Sequence, residues 1–275
     1  MNTTVKRTLS GTVFLGVMLA GLLFHPALYA VLFICMSCGM LVEFYRITMG
    51  KRYMLSRILA IVLGGATFMA LFGITGYGLP NKLVGISALL LLAIMISTLF
   101  EKDRSDFSIT SYIYTGLLYI AVPLALANFV VFRGGSFNGV LMVAFFCIIW
   151  AGDVGAYCFG MLFGQKGGKK LFPSISPKKS WAGFWGGLFL AAVASVILFF
   201  TGLFPFPWWH CLLLAVIMNV LGVFGDLFES QWKRSFSVKD SGDIIPGHGG
   251  LMDRFDSAIF AIPAGFIYLA INGLV

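Results

Sequence analysis

Apolar and polar residues do not alternate along most of this chain; apolar residues run together in stretches of roughly 16–25, each closed by a charge cluster or a Pro/Gly-rich break. A helix rising about 1.5 Å per residue needs that length to cross ~30 Å of hydrocarbon. Nine such runs can be drawn, at about 9–24, 27–45, 57–76, 83–100, 111–132, 139–162, 182–203, 208–229 and 257–274. Lipid offers backbone N–H and C=O groups no partner, and the runs lack the ~10-residue alternation of an outer-membrane barrel, so the pattern predicts helices. The expected fold is all-α: one polytopic membrane domain over 1–275, with N-terminal spans in 1–138 and the chemistry-bearing spans and loops in 139–275.

Composition points the same way. The 275 residues are 59% hydrophobic and 11% charged, with 28 Phe, far from a water-soluble domain. Lys and Arg are retained on the cytoplasmic side of a membrane far more often than they are moved across it. Of the 19 here, all but Lys82 and Arg133 fall at the N-terminus or in the even-numbered loops, which places the N-terminus in the cytoplasm and the C-terminus outside. Lys6 and Arg7 ahead of an apolar run also fit a secretory signal peptide. Removing that run would disturb the charge alternation, so it is read as the first span. Positive-inside loops and contact with anionic headgroups account for the net charge of +8, which makes membrane lipids expected partners and leaves no call for nucleic acid. Cys35 and Cys38 form a C-x-x-C inside an apolar run, with no second pair or histidine nearby, and are read as packing residues.

The acidic residues carry the chemical signal. Glu43, Glu101, Asp103 and Asp106 are assigned to loops where water solvates them. Asp153 lies within CIIWAGDVGAYCFG, and Asp226 and Glu229 close AVIMNVLGVFGDLFES; a charge at such depth costs roughly 2.5–3.5 kcal/mol on insertion scales. At ~100° per residue, Asp226, Glu229, Ser230 and Lys233 share one helix face that points into the polar loop KRSFSVKDSGDIIPGHGGLMDRFDS. There Pro246, Gly247, Gly249 and Gly250 forbid a continuous helix and let backbone approach a ligand closely. A new helix is expected to begin near Asp253, with Asp253 and Asp256 on one face and Arg254 rotated away. With Asp226 they make a set of hard oxygens suited to Mg²⁺, while Lys233, Arg234, Lys239 and Arg254 suit phosphate oxygens.

The preceding basic loop, GQKGGKKLFPSISPKKSWAG, is not a Walker A motif, because Lys170 stands where a Ser or Thr would bind metal and no strand leads into it. Lys166, Lys169 and Lys170 read best as topology determinants. Ser176, Lys178, Lys179 and Ser180 stand just ahead of a span, where a helix N-terminus favours anions. Asp153 also reads as a buried packing residue, and His248 as a turn residue. Gly160/Gly164 and Gly183/Gly187, spaced as small-xxx-small pairs, are expected to serve helix packing.

These residues carry a family resemblance. Ser230-Gln-Trp-Lys233-Arg234, then Lys239-Asp240, then Pro246-Gly-His248-Gly249-Gly250-Leu-Met-Asp253-Arg254-Phe-Asp256 resembles the signature of the phosphatidate cytidylyltransferases, or CDP-diacylglycerol synthases. SPKKSWAG resembles that family's Ser-Pro-Lys-Lys-Thr-Trp-Glu-Gly, and Asp153-Val-Gly-Ala-Tyr157 with Phe163-Gly164 resembles its Asp-Thr-Gly-Ala-Tyr and Leu-Phe-Gly. Trp232 departs from a usually aliphatic position. Ala182 stands where Glu is frequent, so no role of that Glu carries over. The motifs cover about residues 150–260, and the first 130 residues receive no chemistry.

The resemblance implies transfer of CMP from CTP to phosphatidate, giving CDP-diacylglycerol and pyrophosphate, at the cytoplasmic face of a bacterial inner membrane. It implies divalent metal, Mg²⁺ with room for a second cation, on Asp226, Asp253 and Asp256, with Lys233 completing the catalytic set. Ser176, Lys178, Lys179, Ser230, Arg234, Lys239, Asp240, His248, Gly249, Gly250 and Arg254 would bind substrate. A homodimer is among the assemblies it allows. Two other classes stay open: a CTP-dependent polyprenol or phytol kinase, which would release CDP, and an ion-coupled transporter, disfavoured because the acids gather at one membrane face.

Overall fold

The computed structural model describes residues 3–101, 107–165, 168–244 and 249–275. His248, Pro246 and Gly247, together with Lys102, Asp103, Arg104, Asp106 and Lys166, lie outside the described residues. Among those described, nine helical segments follow one another: α1 (Thr3–Leu23), α2 (Pro26–Met49), α3 (Met54–Tyr77), α4 (Asn81–Phe100), α5 (Phe107–Val131), α6 (Val140–Phe163), α7 (Trp181–Phe200), α8 (Trp208–Ser235) and α9 (Met252–Ile271). Eight of them, α2 to α9, are long and apolar enough to cross a membrane. The chain is a polytopic, helical membrane protein, as its hydropathy pattern predicts. Two antiparallel hairpins interrupt the helices: β1 (Phe132–Arg133) with β2 (Ser136–Phe137), and β3 (Lys170–Phe172) with β4 (Ser176–Ser180).

By its internal contacts the chain forms two compact units, one of Met1–Asn138 with Asp240–Arg254, the other of Gly139–Lys239 with Phe255–Val275. In the first, hydrogen bonds between helices act where hydrocarbon would leave polar groups unserved. Ser56 and Ser97 hydroxyls meet at 2.7 Å and those of Thr67 and Ser87 at 2.9 Å, joining α3 to α4. The buried Asn128 amide donates to the Phe68 carbonyl at 3.3 Å, and the Tyr45 hydroxyl donates to the Ile113 carbonyl at 2.8 Å, so α5 is tied to α3 and α2. α5 widens into a π turn over Leu117–Ala121 just before Pro123, which has no N–H to continue the α ladder.

The second unit is built on glycine. A Cβ on Gly155 would stand 2.4 Å from the Gly186 carbonyl oxygen, and one on Gly187 would stand 2.9 Å from that of Gly152, so α6 and α7 touch backbone to backbone. Gly160 and Gly183 face each other at the same contact, as their spacing predicts, and Gly164 packs against Ser180. α8 and α9 meet equally closely, for a Cβ on Gly225 would stand 2.5 Å from the Asp256 carbonyl oxygen. At the far end of these two helices the His210 ring and the Tyr268 hydroxyl share a hydrogen bond of 2.7 Å.

Candidate active site

Two groups of charged residues stand out, one in each unit. The first grows from the length of α8, which continues to Ser235, past the expected end at 229. Asp226, Glu229, Ser230 and Lys233 therefore lie on one uninterrupted helical face. Asp226 receives a hydrogen bond from the Ser230 hydroxyl at 3.3 Å and an ion pair from Lys179, both partners only partly exposed. Lys179 is delivered by β4, whose pairing of Lys170 with Ser180 and Phe172 with Ser176 straightens the SPKKS run. The run then stops where the Ser180 hydroxyl caps α7, accepting from the Gly183 amide at 3.2 Å. Lys170 secures the base of the hairpin through the Gly164 carbonyl, 2.9 Å away. Lys178 is exposed, whereas Lys179 is only partly so.

Asp256 joins this group. The close crossing at Gly222 and Gly225 brings its helix against α8, and its carboxylate feels the like charges of Asp226 and Asp153 and the opposite charge of Lys179. The Ser257 amide donates to it at 2.7 Å. Glu229 does not reach into the polar loop as its position on the stripe suggests: it is 0% exposed, and Lys233 pairs with it at 3.3 Å. A carboxylate placed one turn ahead of a lysine in this orientation is the favourable order on a helix. Trp232, the departure from an aliphatic pattern, is buried beside Phe236. Arg234 and Lys239 are exposed.

The second group overturns an expectation. Glu43, assigned to a solvated loop, lies inside α2 with 1% of its surface exposed. The apolar run predicted to end at 45 continues as helix to Met49, and the carboxylate is compensated by hydrogen bonds rather than by water. It accepts from the Leu251 and Met252 amides at 2.9 and 3.0 Å and from the Ser241 hydroxyl at 3.0 Å. Asp253 Oδ2 accepts from the Ser241 amide at 2.8 Å and the Gly250 amide at 2.8 Å, and at 3.0 Å it shares the single proton of the Ser241 hydroxyl with Glu43. Gly249 has φ +85°, and a Cβ there would stand 2.6 Å from Asp253 Oδ2. Arg46 donates to the Ser241 carbonyl at 3.1 Å. Asp240 and Arg254 are exposed at the ends of this arrangement. Nothing in the sequence tied Glu43 or Arg46 to this loop, because the connection spans 208 residues in the case of Leu251.

Among the described residues no three His, Cys, Asp or Glu side chains form a metal-holding group. Mg²⁺ does not need one, since it is usually held by one or two carboxylates together with substrate phosphates and water. Asp226 and Asp256 fit that demand. They are hard oxygen donors whose mutual repulsion calls for a cation, and Lys179 already places one ammonium against Asp226.

A multi-spanning helical protein that pairs acids on its spans with lysines belongs to the class of polytopic membrane proteins whose span-borne charges mark a functional site. The Cytidylyltransferase family matches residues 5–272, and the chain belongs to that family. The motifs at 150–260 thus led to the right family, and the match extends to the N-terminal spans, where the sequence offered hydropathy alone. Phosphatidate cytidylyltransferase of Bacillus subtilis (strain 168) is 35% identical over 198 residues, which is 70% of this chain and 70% of that protein. The proteins of the same name from Staphylococcus haemolyticus (strain JCSC1435) and Staphylococcus aureus (strain COL) are 38% and 37% identical over 167 residues, which is 60% of this chain. The chain spans 61% of the length of these two relatives.

Proposed function

We propose that this protein transfers CMP from CTP to phosphatidate, yielding CDP-diacylglycerol and pyrophosphate, at the cytoplasmic face of a bacterial inner membrane. The observation that carries the reading is the Lys179–Asp226 pair with Asp256 in its field. It combines phosphate-binding and cation-binding groups at span ends, where a soluble nucleotide and a membrane lipid can meet. Family membership and the names of the bacterial relatives support the same choice.

In this reading a phosphate oxygen of phosphatidate attacks the α-phosphorus of CTP. One P–O bond forms there, the bond from the α-phosphorus to the β-phosphate bridging oxygen breaks, and pyrophosphate leaves. Such transfers need in-line positioning and charge neutralisation more than covalent catalysis by the protein. Lys179 and Lys233 supply positive charge near the nucleotide phosphates, and Lys178, Arg234, Lys239 and Arg254, all exposed, collect the anionic substrates. Ser230 orients Asp226 through its hydroxyl. Asp226 and Asp256 would hold Mg²⁺, Asp253 is assigned to metal by motif position alone, and a second cation is compatible with the number of acids. When bound, the ion screens charge on the transferring phosphoryl group. Phosphatidate is largely ionised near neutral pH, by analogy with a phosphate second pKa of ~6, so a strong general base is unnecessary. Ser176, Asp240, His248, Gly249 and Gly250 complete the proposed substrate contacts by motif position, and a homodimer is among the assemblies this reading allows.

The test is turnover of α-³²P-labelled CTP with phosphatidate and Mg²⁺ in detergent micelles. Label entering the lipid with release of pyrophosphate supports the proposal. Label left in CDP points instead to a lipid kinase, and no turnover with any phospholipid acceptor removes the nucleotidyl-transfer reading.

A further inference from the structure

α9 starts directly after an apolar residue. Leu251, the residue before it, has no polar side chain, so the first amides of the helix must find acceptors elsewhere. They find Glu43. Its two oxygens take the Leu251 and Met252 amides, and the positive end of the helix favours a carboxylate at that place. The fit depends on glycine, since a Cβ on Gly242 would stand 2.6 Å from Glu43 Oε1 and one on Gly250 would stand 2.5 Å from Oε2. Ser241 links this cap to Asp253, its hydroxyl lying 3.0 Å from a carboxylate oxygen of each. Arg46, one turn further along α2, holds the Ser241 carbonyl.

We propose that Glu43 is a positioning residue for the transfer reaction: it caps α9 in trans and, through Ser241, fixes the orientation of the Asp253 carboxylate. The inference rests on the reading above, in which Asp253 serves CMP transfer. α2 thereby acquires a task beyond crossing the membrane. Its end seats Ser241 and the first amides of α9. A glutamine at 43 has almost the same shape but offers only one acceptor oxygen, and its NH₂ group would face donors. The loop then loses part of its cap, and Asp253 loses the partner that aligns Ser241.

The experiment uses the full chain in detergent, comparing wild type with Glu43→Gln, Glu43→Asp and Glu43→Ala. Amide hydrogen exchange of peptides covering 240–253 is read beside kcat, KM for CTP and the Mg²⁺ concentration for half-maximal rate. In folded Glu43→Gln, exchange at Ser241, Leu251 and Met252 should quicken about tenfold or more. Misplacement by about 1 Å can cost on the order of 100-fold in rate, so kcat should fall by up to that factor. KM for CTP should stay within about threefold, the Mg²⁺ requirement should rise, and Glu43→Asp should recover part of the rate because it keeps two acceptor oxygens. A purely structural role predicts something different: a fall in kcat that matches the loss of folded protein, with the Mg²⁺ requirement unchanged. That result overturns the proposal, as does a folded Glu43→Gln with wild-type kcat and exchange. If Glu43→Ala does not fold, the Gln and Asp variants decide. Wild-type protein that transfers no CMP sinks the functional reading instead, whereas an active wild type with a fully active Glu43→Gln sinks the positioning role alone.

Discussion

Lys179 and Asp226 are ion-paired although 46 residues separate them and they arrive on different kinds of element, a short strand and a long helix. Lys178, the neighbour of Lys179 in the chain, is exposed. One lysine of the Ser-Pro-Lys-Lys run is therefore part of the acidic group and the other belongs to the surface, a division the motif itself does not reveal.

The two lysines should accordingly differ under mutation. Lys179→Ala leaves Asp226 and Asp256 with their repulsion less compensated and removes a positive charge proposed to face phosphate, so CMP transfer should fall by about 10²-fold, the scale of losing one electrostatic contact in a transition state. Lys178→Ala should lower kcat/KM by less than about fivefold, mainly through weaker collection of anionic substrate, and this residual effect should shrink as salt is added. Parallel steady-state assays of the two variants at low and moderate ionic strength check both statements.

Asp256→Asn tests the acidic group without relying on activity. In metal-free protein the substitution relieves repulsion from Asp226 and Asp153, so thermal stability should hold or rise. Mg²⁺ should raise the unfolding temperature of wild type, because a ligand that binds only the folded state stabilises it by mass action. The variant should lose most of that increase, together with about 10²–10³-fold in transfer rate. Thermal unfolding with and without Mg²⁺ reads the first two effects, and an Asp256→Asn protein still stabilised by Mg²⁺ to the wild-type extent would count against metal at this residue.

The Glu229–Lys233 pair permits separation of stability from function. Glu229 is 0% exposed, and removing one member of a buried pair typically costs ~3–5 kcal/mol, so Glu229→Ala should unfold at markedly lower temperature. Replacing both partners by apolar residues of similar volume, Glu229→Leu with Lys233→Met, should recover most of the stability, as such replacements are often neutral. Transfer activity should not return, since the charge of Lys233 is the part proposed to act on phosphate. Unfolding curves and assays on the single and double variants decide the matter.

How much of this was legible beforehand follows from how far each signal travels along the chain. The nine helical segments were readable because hydropathy is local and lipid leaves backbone no alternative. Asp253 and Asp256 were readable as neighbours because they lie three residues apart at the start of one helix, whereas Asp226 comes from the helix before it. Glu43 was not: its partners lie 198 to 209 residues away, and an acid near the end of an apolar run looks the same in sequence whether water or a helix terminus satisfies it. Nor was the different exposure of Lys178 and Lys179, which lie on a strand of five residues between two helices that hydropathy treats as loop. The glycines were legible as packing residues at 160, 164, 183 and 187, while Gly152, Gly155 and Gly225, where a Cβ would stand 2.3–2.5 Å from its nearest neighbour, fall outside those small-xxx-small pairs.

Gly225 gives the sharpest test of packing as the means of assembling the acids. Its virtual Cβ meets the Asp256 carbonyl oxygen at 2.5 Å and the Phe260 Cβ at 3.2 Å, so the first neighbour is backbone and cannot swing aside. Gly225→Ala must therefore push α8 and α9 apart, at a cost of about 1–3 kcal/mol. Asp226 and Asp256 are the residues at that contact, so transfer should fall at least tenfold in protein that is still folded, more than the lost stability accounts for. Gly85→Ala is the matched control. It lies in α4, where a Cβ would meet nothing within 4 Å, and helix propensity favours the alanine by up to about 1 kcal/mol. Unfolding temperature and CMP transfer measured on both variants should show the control unchanged or slightly stabilised and fully active, with Gly225→Ala impaired in both. A Gly225→Ala protein of wild-type activity would mean that the spacing of the two acids tolerates separation of their helices, and the acidic group would then be held by something other than this crossing.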